Sequence, residues 1–263
     1  GGEGIATFAA GQASTNVLVT TAVPLRAASR GRVMLTASID RDALETDNLF
    51  RRPMDVRERL EVVVLSPSGA GAGSIDAFTP ADWLSLALAP EAETALRRRQ
   101  GADLRLALVD PARSTAGVVG QAASVLIPRP DLLDAAGWQD VRNAADAGTV
   151  VVVFPPPDAQ THTWADAFTS VMKLDWTFPR EARPLTPPRS ITARRDLPPD
   201  HDLLALIAPE LADLARPVRV SRVLSPEVPR GGGEPLLELD DASPLIIAGT
   251  PGQREGDAAS PRG

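Results

Sequence analysis

Two different periodicities divide the chain, and the change between them falls near residue 60. Residues 16–24 and 31–39 alternate apolar and polar positions with a period of two, the pattern of a strand with one buried face. An acidic loop over 40–48 then leads to a short return segment, 49–56. Because two or three antiparallel strands do not fold alone, residues 1–58 are predicted to be a partial, Ig-like β-sandwich segment.

Beyond residue 60 the pattern becomes an alternation of strands and helices. Residues 60–65 (LEVVVL) form a nearly continuous apolar run, which is typical of a strand buried on both faces. Further strands are predicted at 103–110, 123–127 and 150–154, and helices at 80–88, 91–100 and 131–147. Asp131 is the predicted N-cap of the last helix, and Gly148 follows its end. This order predicts an α/β domain over residues 59–250 with a parallel, flavodoxin-like sheet.

The C-terminal part of this domain has a weaker pattern. Prolines are frequent between 155 and 199, so that stretch is predicted to be mostly loop, interrupted by one helix at 164–174. A helix broken at Pro209, a strand at 218–224 and a hairpin formed by 235–240 and 244–249 should follow. Residues 251–263 are predicted to be a disordered tail.

Composition and charge exclude several classes of function. The chain has 27 basic and 34 acidic side chains and a net charge of −7, so a general nucleic-acid-binding surface is not expected. It has no cysteine, which excludes disulfides, thiolate metal sites and cysteine nucleophiles. No apolar run approaches the ~20 residues that span a bilayer, and the first residues do not have the pattern of a signal peptide.

Four stretches, taken in order, resemble a known family. They are residues 40–65 (DRDALETDNLFRRPMDVRERLEVVVL), 83–90 (WLSLALAP), the strand-proline-helix-strand block 125–155, and 235–249 (PLLELDDASPLIIAG). Together they are similar to the extracytoplasmic region of BatA-like proteins, the family with an aerotolerance-regulator N-terminal domain. In that family a sandwich segment precedes a class I glutamine-amidotransferase-like domain.

The resemblance implies a place and a role for the chain. It implies a portion of a larger membrane protein, on the periplasmic face of a bacterial membrane and anchored by helices absent from this chain. The partners implied are other proteins, including von Willebrand A proteins and components of MoxR-type ATPase systems. The role implied is a non-catalytic interaction or scaffold module. Two alternatives stay open: a small-molecule or carbohydrate-binding domain that uses a vestigial cleft, and a hydrolase of unrecognised type.

The amidotransferase chemistry itself requires a cysteine nucleophile, which this chain does not have. Ser114, in the segment VDPARST, would need an imidazole base, and the histidines are His162 and His201. We therefore predict no catalytic residues. The vestigial cleft at the carboxyl ends of the strands would contain Asp110, Ser114, Phe154 and His162. The competing interpretation is local: Asp110 and Ser114 cap the following segment, and His162 bonds nearby backbone.

Metal and cofactor sites are not expected either. The acidic loop 40–48 lacks the glycine and the spacing of an EF-hand, so a polar chain reversal is the simpler interpretation. The glycine-rich loop 66–74 does not fit the dinucleotide-binding pattern. The arginine groups at 97–99 and 194–195 are either solvated faces or contacts for an anion or an acidic partner.

One proline-flanked segment combines aromatic and basic side chains, LDWTFPREAR at 174–183. Exposed, its residues Trp176, Phe178, Arg180 and Arg183 would have the composition of an interface centre. Large aromatic residues on such a loop are alternatively anchored in the core, and the sequence leaves both possibilities open.

Overall fold

The structure is a computed structural model, and it describes residues 31–38, 49–56, 59–67, 74–89, 104–112, 116–156, 158–193 and 210–252. The chain divides into two compact units, Gly1–Glu58 and Arg59–Gly263. Several predictions lie outside the described residues: the strand at 16–24, the loop at 40–48, the helix at 91–100, the arginine groups and the tail beyond residue 252. Among the described residues, no helix has the length and apolar character needed to cross a membrane.

The described part of the first unit is one antiparallel pair of strands. Strand β1 (Gly31–Ser38) pairs with β2 (Leu49–Val56) in continuous register, from Gly31 opposite Val56 to Ser38 opposite Leu49. The predicted alternation is visible at the start of β1, where Val33 is half-buried and its neighbour Met34 is exposed.

A four-stranded parallel sheet forms the centre of the second unit. Its strands are β3 (Leu60–Leu65), β4 (Leu104–Val109), β5 (Ser124–Ile127) and β6 (Val150–Val153), in the order β4-β3-β5-β6. All neighbouring strands are parallel. The predicted α/β class with a parallel sheet is therefore confirmed. In chain order the arrangement is 2-1-3-4, which corresponds to the first four strands of the flavodoxin-type doubly wound order.

Helices bury both faces of this sheet. The described helices of the second unit are α1 (Pro80–Leu88), α2 (Ala116–Val119), α3 (Ala135–Asp146), α4 (Ala165–Met172) and α5 (Leu211–Ala215), with 3-10 turns at Ile75–Ala77, Pro130–Leu132 and Thr161–Thr163. Of these, α5 packs on the antiparallel sheet described below. Alternate residues of β3 belong to different cores. Val63 and Leu65 pack in the larger core with residues of α3 and α4, whereas Val62 and Val64 pack with residues of α1. Burial on both faces explains the continuous apolar run of β3.

The N-terminus of α3 differs from the prediction. Asp134 is its N-cap, and one of its carboxylate oxygens accepts a 2.7 Å hydrogen bond from the Gly137 amide. Asp131 lies one 3-10 turn earlier and binds Arg129 instead. The C-terminus is as predicted, because Gly148 follows the helix with a positive φ of 97°.

A four-stranded antiparallel sheet follows. It consists of β7 (Arg183–Ala193), β8 (Arg219–Val223), β9 (Glu234–Leu239) and β10 (Pro244–Ala248), in the order β10-β9-β7-β8. The predicted hairpin corresponds to β9 and β10. Leu185, Val223 and Leu239 form the small core of this sheet.

Strand β7 corrects the prediction for residues 155–199, because its proline-rich sequence was predicted to be loop. The pairing of β7 with β8 shifts register between Pro184 and Arg189, and the pairing with β9 begins only at Ile191. Pro187 and Pro188 lie inside the interval that makes no ladder pairs. A residue without a backbone N–H is tolerated there, since no hydrogen bond is lost.

Candidate functional site

The carboxyl edge of the parallel sheet is the part of this fold where a ligand or substrate would be held. Four strands end there, and the residues that follow them are Ser66, Asp110, Pro128 and Phe154. The strand order reverses between β3 and β5, so Ser66 and Pro128 lie at the topological switch point. Both residues are buried, and the Ser66 amide donates a 2.9 Å hydrogen bond to the Val109 carbonyl.

Two residues of the predicted cleft, Asp110 and Phe154, lie at opposite edges of the parallel sheet. Asp110 follows β4 and Phe154 follows β6, the two opposite edges of the sheet. Three strand spacings of roughly 4.8 Å separate these edges, which is about 14 Å. Ser114 lies outside the described residues. Asp110 and Phe154 are therefore not neighbours in this sheet, and the cleft that would contain both of them stays a prediction.

Each described residue of that set has a local environment. One carboxylate oxygen of Asp110 accepts a hydrogen bond from the Ala112 amide at 3.0 Å, which caps the turn after β4. The structure therefore supports the local interpretation of Asp110, in which its side chain caps the segment that follows β4. Phe154 is half-buried and packs against the core on the α1 face of the sheet. His162 is exposed in the 3-10 turn Thr161–Thr163, in which Thr161 is the buried member.

A charged cluster that sequence reasoning missed lies after β5. The Arg129 guanidinium makes a bidentate contact with Asp131, with Nε–Oδ1 and Nη2–Oδ2 distances of 2.9 and 2.7 Å. Its Nη1 also reaches Asp158, in the loop after β6, at 3.3 Å. The hydrogen bonds that Arg129 donates to the Asp131 carboxylate raise the pKa of Arg129 above its ordinary value. The only sequence signal is an arginine two residues before an aspartate at a strand end, which is too common to single out.

The chemistry available to this cluster is electrostatic. Two carboxylates surround one guanidinium, so the positive charge is compensated by groups of the chain itself. The contacts join the end of β5 to the loop after β6. Within the described ranges, no group of three or more acidic or histidine side chains is arranged to hold a metal ion.

The aromatic-basic segment takes the core-anchored arrangement. Trp176 and Phe178 both pack against the larger core, and Phe178 makes an edge contact with the buried Trp164, with ring centroids 5.2 Å apart. The Trp176 indole N–H donates a 2.8 Å hydrogen bond to the Gly232 carbonyl. Of the two possibilities that the sequence left open, the packing of these half-buried rings supports the core-anchored one, and a partner surface that includes them stays a prediction.

The two arginines of that segment are at the surface. Arg180 and Arg183 are both exposed, and Arg183 donates a 2.8 Å hydrogen bond to the Ser243 hydroxyl. Arg183 also lies 3.7 Å from Asp241 of the β9–β10 turn. Of the predicted partner surface, these two basic side chains are the exposed members.

Comparisons of the chain with protein-family models, with curated proteins and with solved structures give no match. The resemblance to BatA-like proteins therefore depends on the sequence stretches alone.

Proposed function

We propose that this chain is a non-catalytic interaction module, the extracytoplasmic portion of a membrane-anchored, BatA-like scaffold protein. In this proposal the second unit is a degenerate glutamine-amidotransferase-like domain that acts through its surface. It assembles with other proteins at the periplasmic face of a bacterial membrane. Von Willebrand A proteins and MoxR-system components are the partners proposed for it.

The observation that carries the proposal is the state of the carboxyl edge. Asp110 caps its own turn, and Arg129 is held by two aspartates. Phe154 packs into a core. Among the described residues of this edge, these contacts engage side chains that a substrate or ligand would otherwise meet. The missing thiol supports the same conclusion, because the amidotransferase nucleophile has no equivalent in the sequence.

The alternative of a small-molecule or carbohydrate site has less support. It needs polar groups that converge on one pocket, whereas Asp110 and Phe154 lie at opposite edges of the sheet. His162, which was the third described member of that set, is exposed at the surface.

Partner binding is tested with purified von Willebrand A and MoxR-type proteins against the full chain. We expect Arg180→Glu to weaken capture about tenfold or more, because a charge reversal at an interface rim introduces like-charge contacts. Arg230→Glu is the matched control, since Arg230 is also exposed but lies in the turn before β9. Equal capture of both variants and the unchanged chain would contradict the role of this surface.

Catalysis is tested separately. The full chain is incubated with glutamine and with activated esters, alongside Ser114→Ala. We expect no turnover above the uncatalysed rate. Ester hydrolysis that disappears in Ser114→Ala would overturn the proposal and restore the hydrolase alternative.

A further inference from the structure

A short segment that follows β10 covers one edge of the Trp176 ring. It consists of residues 249–252 and is called the strap below. A Cβ built on Gly249 would lie 2.6 Å from Cζ2 and 3.2 Å from Cη2 of Trp176, so the backbone of the strap lies directly on the ring. Gly249 and Thr250 are themselves exposed to solvent. The cover over this edge of the ring is therefore a single layer of backbone.

The strap is attached at its two ends. The ladder between β9 and β10 ends at the pair Glu234 and Ala248, immediately before the strap begins. At the other end, the Gly252 amide donates a 3.0 Å hydrogen bond to the carbonyl of Met172, the last residue of α4. Segments with few buried contacts and few backbone hydrogen bonds open at a lower free energy than the core of a protein. Local opening of the strap is therefore expected without unfolding of either sheet.

The Met172 carbonyl has a second donor that does not depend on the strap. Arg142, on α3, donates to it from Nη1 at 2.7 Å, and its side chain is only 12% exposed. The Arg142 Nε is held in turn by both carboxylate oxygens of Asp146, at 3.0 and 2.9 Å. When the Gly252 amide leaves, the carbonyl keeps the hydrogen bond from Arg142. Opening therefore leaves no acceptor without a partner at the end of α4, which is the usual penalty for breaking such a contact.

We propose that the strap is an autoinhibitory cover over a partner-binding surface formed by Trp176, Arg180 and Arg183. This inference rests on the proposed function, because that function requires a surface for a partner protein. Tryptophan and arginine are enriched at the energetic centres of interfaces. Arg180 and Arg183 are exposed in the closed form, whereas Trp176 is half-buried. The partner that fits presents an apolar side chain to the ring and carboxylates to the two arginines.

The closed form predominates, because the Gly249 backbone packs tightly on the ring. A partner that requires the open form binds with an affinity reduced by the fraction of chains that are open. Any change that weakens the closed strap should therefore strengthen partner binding, although it adds no contact to the partner. This is the result that distinguishes a cover from an ordinary part of the fold.

Opening is tested with Gly252→Ala. Gly252 has a φ of 85°, where alanine is strained, and the substitution removes no side chain. We expect exchange of the strap amides to rise about tenfold or more, the effect of one strained residue on a local equilibrium. Hydroxyl-radical oxidation of Trp176 should rise with it, while the buried Trp138 and Trp164 stay protected.

Gly148→Ala is the matched control for this strain. Gly148 has a φ of 97° and nothing within 4 Å of its Cβ position, and it follows α3 at a distance from the strap in sequence. We expect its strap amides and its Trp176 oxidation to equal those of the unchanged chain. In the unchanged chain, exchange of the Gly252 amide should not depend on low concentrations of urea, since local opening exposes little surface.

Autoinhibition is tested by capture of the same purified von Willebrand A and MoxR-type proteins. We expect Gly252→Ala to bind them about tenfold more tightly than the unchanged chain, in proportion to the larger open fraction. Gly148→Ala should bind as the unchanged chain does. Adding Arg180→Glu to Gly252→Ala should remove the gain, because the arginine belongs to the same surface.

Three results would overturn the inference. The first is a strap whose amides exchange only with global unfolding, or Trp176 oxidation that is equal in Gly252→Ala and Gly148→Ala. The second is an opened strap with unchanged capture, which would leave the proposed function standing because the unchanged chain still binds. The third is capture by none of the variants, which would contradict the proposed function together with this inference.

Discussion

Trp176 joins the parallel sheet to the antiparallel sheet through contacts that leave no room for a larger neighbour. Its ring packs near Phe168 and Phe178 in the larger core, while its indole N–H binds the Gly232 carbonyl. A Cβ built on Gly249 would lie 2.6 Å from the Trp176 ring. The glycine at 249 is therefore required by close packing, because neither the rigid ring nor the backbone can move away cheaply.

We predict that Gly249→Ala lowers the free energy of unfolding by about 1–3 kcal/mol, the usual cost of overpacking. Urea unfolding of the full chain measures it. Gly117→Ala is the control, because nothing lies within 4 Å of its Cβ position in α2. We expect that variant to be unchanged or slightly more stable, as alanine favours helix over glycine. Equal stability of both variants and the unchanged chain would show that the Trp176 contact is not tight.

At the scale of a single helix, the N-cap of α3 can be tested by substitution in the same way. Asp134 caps the helix through the Gly137 amide, so Asp134→Ala should cost about 1 kcal/mol of stability. Asp134→Ser keeps a capping oxygen and should recover most of the loss. If Asp134→Ser is as unstable as Asp134→Ala, the cap is not the cause, and the charge near the helix N-terminus would be.

The β9–β10 turn should make stability depend on pH. The hydrogen bonds from Ser243 and the nearby Arg183 and Arg189 lower the pKa of Asp241 below its ordinary value of 3.8. A carboxyl with a lowered folded pKa stabilises the chain above its unfolded pKa, and this contribution disappears as pH falls through the folded value. Asp241→Asn should therefore be less stable than the unchanged chain near pH 7 and about equal to it at pH below the folded pKa. Urea midpoints across that range test it, and a pH-independent difference would contradict it.

Elements were predictable wherever one periodicity dominated the sequence. The valine-rich strands β3 and β6 were predicted from their apolar runs, because the burial of a strand depends on its own residues. Strand β7 was not predictable, since its prolines are accommodated by a register shift that only its partners β8 and β9 determine. The predicted N-cap of α3 was wrong for a related reason. Asp131 and Asp134 are both residues that favour an N-cap position, and the contact of Asp131 with Arg129 decides between them.

The site is a property of the whole molecule, and the sequence predicted it less well than the fold. The carboxyl edge was expected from the strand order, but the residues gathered there depend on which strands are neighbours. Asp110 and Phe154 follow strands that the order β4-β3-β5-β6 separates. Arg129 and Asp158 are in contact although they are 29 positions apart in the sequence. Such long-range contacts leave no periodic signal in a single chain.

The claim that this chain acts through its surface and not through the carboxyl edge is tested most directly by hydrogen–deuterium exchange. Exchange of the full chain is compared with and without a captured partner protein, and with and without small sugars or glutamine. We predict that the partner protects the segment containing Arg180 and Arg183, and that the small molecules protect nothing. Protection by a small molecule of the peptides that contain Ser66, Asp110 and Arg129 would contradict the account.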